Sequence, residues 1–270
     1  MKKLMCIFLF MFVIFNVNKA DAGTTYPQAV CIIMFDDEYE NVYDNALPIL
    51  EANGQQAVMY TTTDNVGGSG YMSVDQLLVL QDKGWDISNH TSNHLTLNGE
   101  SEADQRDAID DGYDWLVTNG FSISTARFFA YPQGSYDSTS ITLLRERHIT
   151  GRGVTGTVEA HFLVGVDADD TEFEILGFGM RDTTTVNTVK AHINTAITND
   201  TLFMPYMHEV LDTTVSTFQT ATADLQEISD YLKEKEDAGD IDVMTMSEYY
   251  EAIKNYTTYD GVTIDGLTLE

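Results

Sequence analysis

The chain has only two cysteines, four prolines and two tryptophans in 270 residues. Cys6 falls in an N-terminal segment described below, so Cys31 stands alone in the rest of the chain. A single thiol makes no intrachain disulfide and no cysteine cage for a metal. Cys31 lies in an apolar stretch and reads as a core residue. Basic residues are scarce as well: 14 Lys and Arg stand against 43 Asp and Glu, a net charge of −29. Beyond residue 22, which removes Lys2, Lys3, Lys19 and Asp21, the balance is 11 against 42, or −31. Such a surface repels nucleic acid and anionic membranes and argues against a polyanionic substrate. The acids are scattered, as on the solvated face of a globular protein. Long apolar runs are also missing, with one exception. Leu4 to Phe15 follows Lys2 and Lys3 and precedes Ala20-Asp21-Ala22, a secretory signal pattern with a run too short to span a bilayer comfortably. Residues 1–22 are therefore expected to be a signal peptide, with an uncleaved anchor as the alternative. The product is expected to be secreted or extracytoplasmic, without stable membrane insertion and with cell-surface association open.

What is present from Gly23 onward is an alternation of strand and helix signals. Ala29 to Met34 is an apolar run fit for a buried strand. Val42 to Glu51 reads as helix, stopped at Asn53-Gly54. Gln56 to Thr62 is a strand, Val66 to Gly70 a loop, and Ser73 caps a helix from Val74 to Asp82. Trp85 to Ser88 is a short strand, and Ser101 opens a long helix to Thr118. Ala126 to Ala130 is a strand followed by a turn at Tyr131–Tyr136, then helix from Ser138 to Arg147 and strand from Ile149 to Thr155. The stretch 156–171 is irregular; its acids Asp167, Asp169 and Asp170 read as a solvated loop rather than a calcium site. Phe173 to Met180 is a strand, Thr184 to Thr198 a helix and Leu202 to Met207 a strand ending at His208. Phe218 to Glu236 reads as helix, Ile241 to Met244 as a last strand, and Ser247 as the cap of a helix to Lys254. Repeated units of this kind predict an α/β fold, a distorted (β/α) barrel of about seven parallel strands. No linker or repeat divides it, so one domain is expected over residues 23–256, with 257–270 a polar tail of no legible role.

The chemistry gathers at two strand ends. Asp36 and Asp37 follow the first strand, and two adjacent carboxylates repel unless a cation or a shared proton settles the charge. His90 and His94 follow another strand end, and their spacing predicts a helical turn presenting both imidazoles on one face. Two histidines and a carboxylate at the open end of a parallel sheet match a metal site with positions left for water. The residues between the histidines are Thr, Ser and Asn, so the His-Glu-x-x-His peptidase pattern is absent. So is the His-x-Asp spacing of many iron oxygenases.

At these residues the sequence resembles the polysaccharide deacetylases, the NodB-homology carbohydrate esterases. Met34-Phe35-Asp36-Asp37 matches the first motif of that family and His90-Thr91-Ser92-Asn93-His94 the second. Phe129-Ala130-Tyr131-Pro132-Gln133-Gly134 looks like the third, and Phe203 to His208 like the last. The resemblance implies a secreted hydrolase that removes N-acetyl, or as the nearest variant O-acetyl, groups from a polysaccharide or oligosaccharide. It implies a divalent metal, zinc first and cobalt, nickel or manganese as alternatives, held by Asp37, His90 and His94. It makes Asp36 the general base and His208 the general acid. It places Tyr131, Pro132 and the backbone N–H of Gln133 at the substrate and its oxyanion, with Trp85 as a further groove candidate. An acetylated glycan is the partner it implies; oligomeric state is unread.

The chain departs from the family in several places. Glu38 stands where glycine is usual and adds a third acid beside the site. Ala130 replaces the arginine that commonly neighbours the catalytic aspartate, which leaves Arg181 as a possible charge partner. The Asp/Trp motif near the acid histidine is not found. A carbohydrate-binding protein that kept the fold and lost turnover is the main alternative, and a hydrolase of another C–N bond a weaker one. His148, His161 and His192 lie off the motifs and read as structural. Asn89, Asn199 and Asn255 begin glycosylation sequons, of which Asn89 is expected to be protected.

Overall fold

The computed structural model describes residues 28–159, 171–214 and 216–256. The segment 1–22, His161, the acids Asp167, Asp169 and Asp170, and the tail 257–270 lie outside them. Strands β1 (Ala29–Cys31), β2 (Met34–Asp36), β3 (Val58–Thr61), β4 (Asp86–Asn89), β5 (Phe128–Ala130) and β6 (Thr150–Gly153) come first. They are followed by β7 (Ile175–Leu176), β8 (Phe178–Gly179), β9 (Leu202–Phe203), β10 (Pro205–Met207), β11 (Glu209–Leu211), β12 (Gln219–Ala221) and β13 (Ile241–Val243). The helices are α1 (Leu47–Ala52), α2 (Val74–Asp82), α3 (Glu102–Thr118), α4 (Ile123–Ala126), α5 (Ser138–Arg147), α6 (Val186–Asn199), α7 (Thr222–Asp237) and α8 (Met246–Tyr256).

Eight strand segments form one parallel sheet in the order β7-β6-β5-β4-β3-β2-β10-β8. Its two edges, β7 and β8, are consecutive pieces of one stretch joined at Gly177. The Gly177 N–H donates to Gly153 O at 3.1 Å, and the next N–H, of Phe178, donates to Met204 O at 2.8 Å. One stretch thus bonds both neighbours and closes the ring, a nearly closed barrel as the alternation of elements predicted. The first strand is interrupted at Ile32-Ile33 because its neighbour changes there: β13 pairs with β1, and β3 with β2.

Period-2 alternation sorts the side chains. Val30, Ile32 and Met34 join Val58, Tyr60, Phe128, Ala130 and Met204 inside the barrel, whose foot is plugged by Met246, Tyr249, Tyr250 and Ile253 of α8. Ala29, Cys31, Ile33 and Phe35 face outward under the helices, as do Leu77 and Leu80 of α2 and Ile193 of α6. Cys31 is a buried free thiol, as its surroundings predicted. Trp85 stacks on Phe35 at 5.6 Å between ring centroids and is buried core, not groove.

Three local expectations are corrected. The first helix begins as a π-helical turn, Val42–Ala46, before α1, because Pro48 has no N–H to give the carbonyl four residues back. The segment from Phe218 is not helix at its start: Gln219–Ala221 pairs with Glu209–Leu211 as a parallel strand and α7 begins at Thr222. Thr245, not Ser247, caps α8, since its Oγ1 accepts from Glu248 N–H while the Glu248 carboxylate accepts from Thr245 N–H. Ser247 instead donates its N–H and hydroxyl to the two Asp86 oxygens, both at 2.7 Å.

Burial pushes the Asp86 carboxyl up to about 6 in spite of those bonds. A carboxyl raised above its unfolded value of about 3.9 binds its proton more tightly in the folded state. Its stabilising contribution is therefore complete below that value and is lost as pH rises through about 6. The wild-type unfolding free energy should fall relative to Asp86→Asn by up to about 3 kcal/mol between pH 4 and pH 7. Urea denaturation of both proteins at several pH values checks this, and a pH-independent difference would refute it.

Candidate active site

All strands of the barrel run the same way, so the residues that follow β2, β4, β5, β8 and β10 meet at one end. There they line a cavity of about 560 Å³ whose walls include Asp36, Asp37, His90, His94, Tyr131, Gln133, Arg152, Arg181 and His208. Asp37 is the centre of the histidine cluster. Its Oδ1 lies 3.6 Å from His90 Nε2 and 3.5 Å from His94 Nε2, and its Oδ2 lies 3.9 Å from His208 Nε2. Asp37, His90 and His94 each offer one ligand atom, all within 4.8 Å of one another. Donors about 2.0–2.1 Å from a tetrahedral zinc stand about 3.4 Å apart, so the donor set fits a divalent ion. His90 Nδ1 lies 2.7 Å from Ala130 O, a bond that places the proton on Nδ1 and leaves the Nε2 lone pair toward Asp37.

The histidine stretch is not the helical turn that its spacing predicts. Residues 90–94 form an irregular loop in which Thr91 (φ 67°) and His94 (φ 56°) take left-handed backbone. The loop is held from behind. Thr91 N–H donates to Asn89 Oδ1 at 2.9 Å, and Ser92 N–H donates to Ala108 O of α3 at 2.8 Å. The Asn89 amide in turn donates to Ile109 O at 2.9 Å and meets His148 Nε2 at 3.0 Å. Burial pushes His148 down to about 3, so its Nε2 is an acceptor at neutral pH. Gly112 permits this approach of α3, since a Cβ there would lie 2.5 Å from Asn89 Oδ1 and 2.8 Å from the Thr91 carbonyl carbon. His148 is thus structural, as expected, and the fully buried Asn89 is protected. His192 packs on Phe178 and Phe203 away from the cavity.

Asp36 continues the inward row of Val30, Ile32 and Met34 and is 3% exposed. Its partner is a residue that no motif indicates. Arg152, on β6 and 0% exposed, donates from Nη2 to Asp36 Oδ1 at 2.5 Å. The Arg152 guanidinium also lies 4.5 Å from the Tyr206 ring centroid and 5.2 Å from that of Tyr60. Burial opposes ionisation of Asp36, but Arg152, with His90 and His208, holds its carboxyl below the usual range. Arg181 is therefore not the charge partner of Asp36. It sits at the cavity mouth with its guanidinium over Phe218. The only sequence signal for Arg152 was an arginine inside a short, otherwise uncharged strand segment, Thr150–Gly153.

Glu38 is buried, with φ 34° in a backbone region that suits the usual glycine. Its Oε2 accepts from Thr62 N–H at 2.6 Å. Burial, aided by the Asp37 charge, pushes its carboxyl well above the usual range. Tyr131 is a fixed wall, its hydroxyl bonded to Phe173 O at 2.9 Å and its ring stacked on Tyr136 at 4.3 Å. Pro132 is buried outside the cavity lining, whereas Gln133, with φ 57°, lines it.

Residues 23–151 match the polysaccharide deacetylase domain. YxkH of Bacillus subtilis (strain 168), provisionally named a polysaccharide deacetylase, is 28% identical over 116 residues, 43% of this chain and 41% of the relative. The chain thus aligns with about two-fifths of the length of that curated relative. Among solved structures, a family 4 acetyl xylan esterase from Clostridium thermocellum in complex with a cobalt ion superimposes with a TM-score of 0.56. Identity to it is 17%, with 84% of this chain and 92% of that chain covered. A family 4 carbohydrate esterase from Streptomyces lividans in complex with acetate gives a TM-score of 0.55 at 15% identity, over 82% and 94% of the two chains. These likenesses carry the fold, while the domain match over residues 23–151 and the motifs at the strand ends bear out the resemblance to the NodB-homology polysaccharide deacetylases.

Proposed function

We propose that the chain is an extracytoplasmic, metal-dependent deacetylase that hydrolyses the N-acetyl group of an amino sugar in a glycan, with O-acetyl esters as the nearest variant. The observation that carries this reading is one cavity holding a three-donor cluster, a buried carboxylate paired to arginine, and a separate histidine. The cluster of Asp37, His90 and His94 would hold the ion, zinc first. Bound there, a divalent cation supplies Lewis acidity and lowers the pKa of water toward about 7.

The chain's own groups supply the rest. Asp36, kept ionised by Arg152, accepts a proton from the attacking water. The Gln133 N–H stabilises the oxyanion that develops on the acetyl oxygen. His208, across Asp37 from the other two histidines, protonates the departing amine. Water has then added its oxygen to the acetyl carbon, the C–N bond has broken, and acetate and a free amine leave. Tyr131 keeps the wall of the site rigid through its bond to Phe173 O.

The test is acetate release from N-acetylglucosamine oligomers and from acetylated xylan, after chelation and again after zinc or cobalt is restored. Acetate that appears only with restored metal is the expected result. A metal-loaded protein that is silent across the panel would overturn the proposal.

A further inference from the structure

Arg181 is left without the role that the sequence suggested for it. The described lysine side chains, and Arg106, Arg147 and Arg152, each face a carboxylate. Among the described residues none lies within ion-pair distance of Arg181, in a chain with three times as many acids as bases. The turn that carries it is nevertheless fixed at the backbone. The Arg181 N–H donates to Thr184 Oγ1 at 3.0 Å, and the neighbouring Asp182 N–H reaches Thr217 O at 3.2 Å, tying this turn to the segment that carries Phe218. The side chain lies 5.4 Å from the Phe218 ring centroid.

Phe218 is itself unusual. It is 49% exposed, one of two large exposed apolar residues among those described, and it lines the cavity 5.1 Å from the His208 ring. The acids that line the cavity have partners of their own, Asp37 among its three histidines. Asp36 is paired with Arg152, and the Glu209 carboxylate accepts from Asn41 Nδ2 and Gln219 Nε2, each at 3.0 Å. An aromatic face beside an uncommitted planar cation suits a sugar ring that carries a carboxylate: the ring packs on the former and the carboxylate takes the fork of the latter.

We infer that Arg181 and Phe218 form a recognition edge for a carboxylate borne by the glycan beside the acetylated sugar. The inference rests on the proposed deacetylase reading and narrows its substrate to acetylated glycans with acidic substituents. Cation and ring stand at the mouth, so they select the substrate without touching the reacting atoms. The overall charge of the chain repels anions at long range. The edge is thus suited to a single carboxylate set between neutral sugars rather than to a polyanion.

The test uses the full chain, metal-loaded, and two matched trisaccharides: N-acetylmuramic acid between two N-acetylglucosamines, and the same trisaccharide with its one carboxylate methyl-esterified. Wild type should favour the free acid in kcat/KM, and Arg181→Gln should shrink the acid-to-ester ratio by roughly 10- to 100-fold, the weight of a charge-assisted hydrogen bond. Arg181→Lys should restore part of the ratio, through charge without the fork. A wild-type ratio near unity, or a ratio that Arg181→Gln leaves in place, would overturn the inference. If neither trisaccharide releases acetate, the deacetylase reading stands or falls separately, on the N-acetylglucosamine and xylan panel. Calorimetric binding of the same pair to wild type and Arg181→Gln then decides the edge: an acid preference lost in the variant supports it, and equal affinities overturn it.

Discussion

Arg152→Met is expected to lower the unfolding free energy by about 3–5 kcal/mol and to abolish measurable turnover. Arg152 and Asp36 are buried in the cavity wall, and their single contact spans Nη2 and Oδ1. Removing the cation leaves a buried carboxylate with only His90 and His208 to offset the loss of its hydration. Methionine fills similar volume, so the loss is electrostatic rather than a cavity. The second variant, Asp36→Asn, strands the guanidinium in the same way, although Tyr206 and Tyr60 still face it. Combining the two should recover much of the stability, because neither charge is then left alone, while activity stays lost. Urea denaturation of the four proteins closes the double-mutant cycle. An additive double variant would show that the pair is not coupled. Arg152→Lys should fall between, since lysine keeps the charge but not the planar fork aimed at Oδ1.

That pair also marks how far the sequence could be read. The short-range features were legible because their signals lie within a few residues. Ser73 caps α2 through Gln76, Ser101 caps α3, and Asp36-Asp37 and His90 to His94 stand at strand ends that parallel topology must bring together. Arg152 was not legible, because its partner lies 116 residues away and only the closure of the barrel joins them. Arg181 reads as a possible charge partner because it follows a strand, as catalytic residues do, whereas Arg152 lies inside one. The spacing of His90 and His94 fits a helical turn equally well, and what decides against it is the bond from Thr91 N–H to Asn89 and the packing of Gly112. Glu38 read as added charge because its burial, which opposes its ionisation, is a tertiary property. The start of α7 was misplaced because Gln219–Ala221 has no strand pattern of its own and gains one only beside β11.

His90→Ala should bind metal more than about 100-fold more weakly than wild type, beyond the 10- to 100-fold that loss of an outer-shell partner produces. Asp36→Asn should keep the metal and lose about 10²- to 10⁴-fold in kcat, the weight of a positioned general base. The two histidines offer an internal control. His94 is partly exposed and has no hydrogen bond among the described contacts beyond its approach to Asp37, so His94→Ala should lose the metal with little change in stability. His90 also bonds Ala130 O at 2.7 Å in the buried interior. His90→Ala therefore leaves a carbonyl unpaired and should cost a further 1–3 kcal/mol or so. Metal content after dialysis against a graded chelator series, measured beside urea denaturation, separates the two effects. Equal metal loss with unequal stability is the expected pattern. A His90→Ala protein that is free of metal and still releases acetate would remove the metal from the mechanism altogether, and Asp36 and His208 would then have to carry the hydrolysis alone.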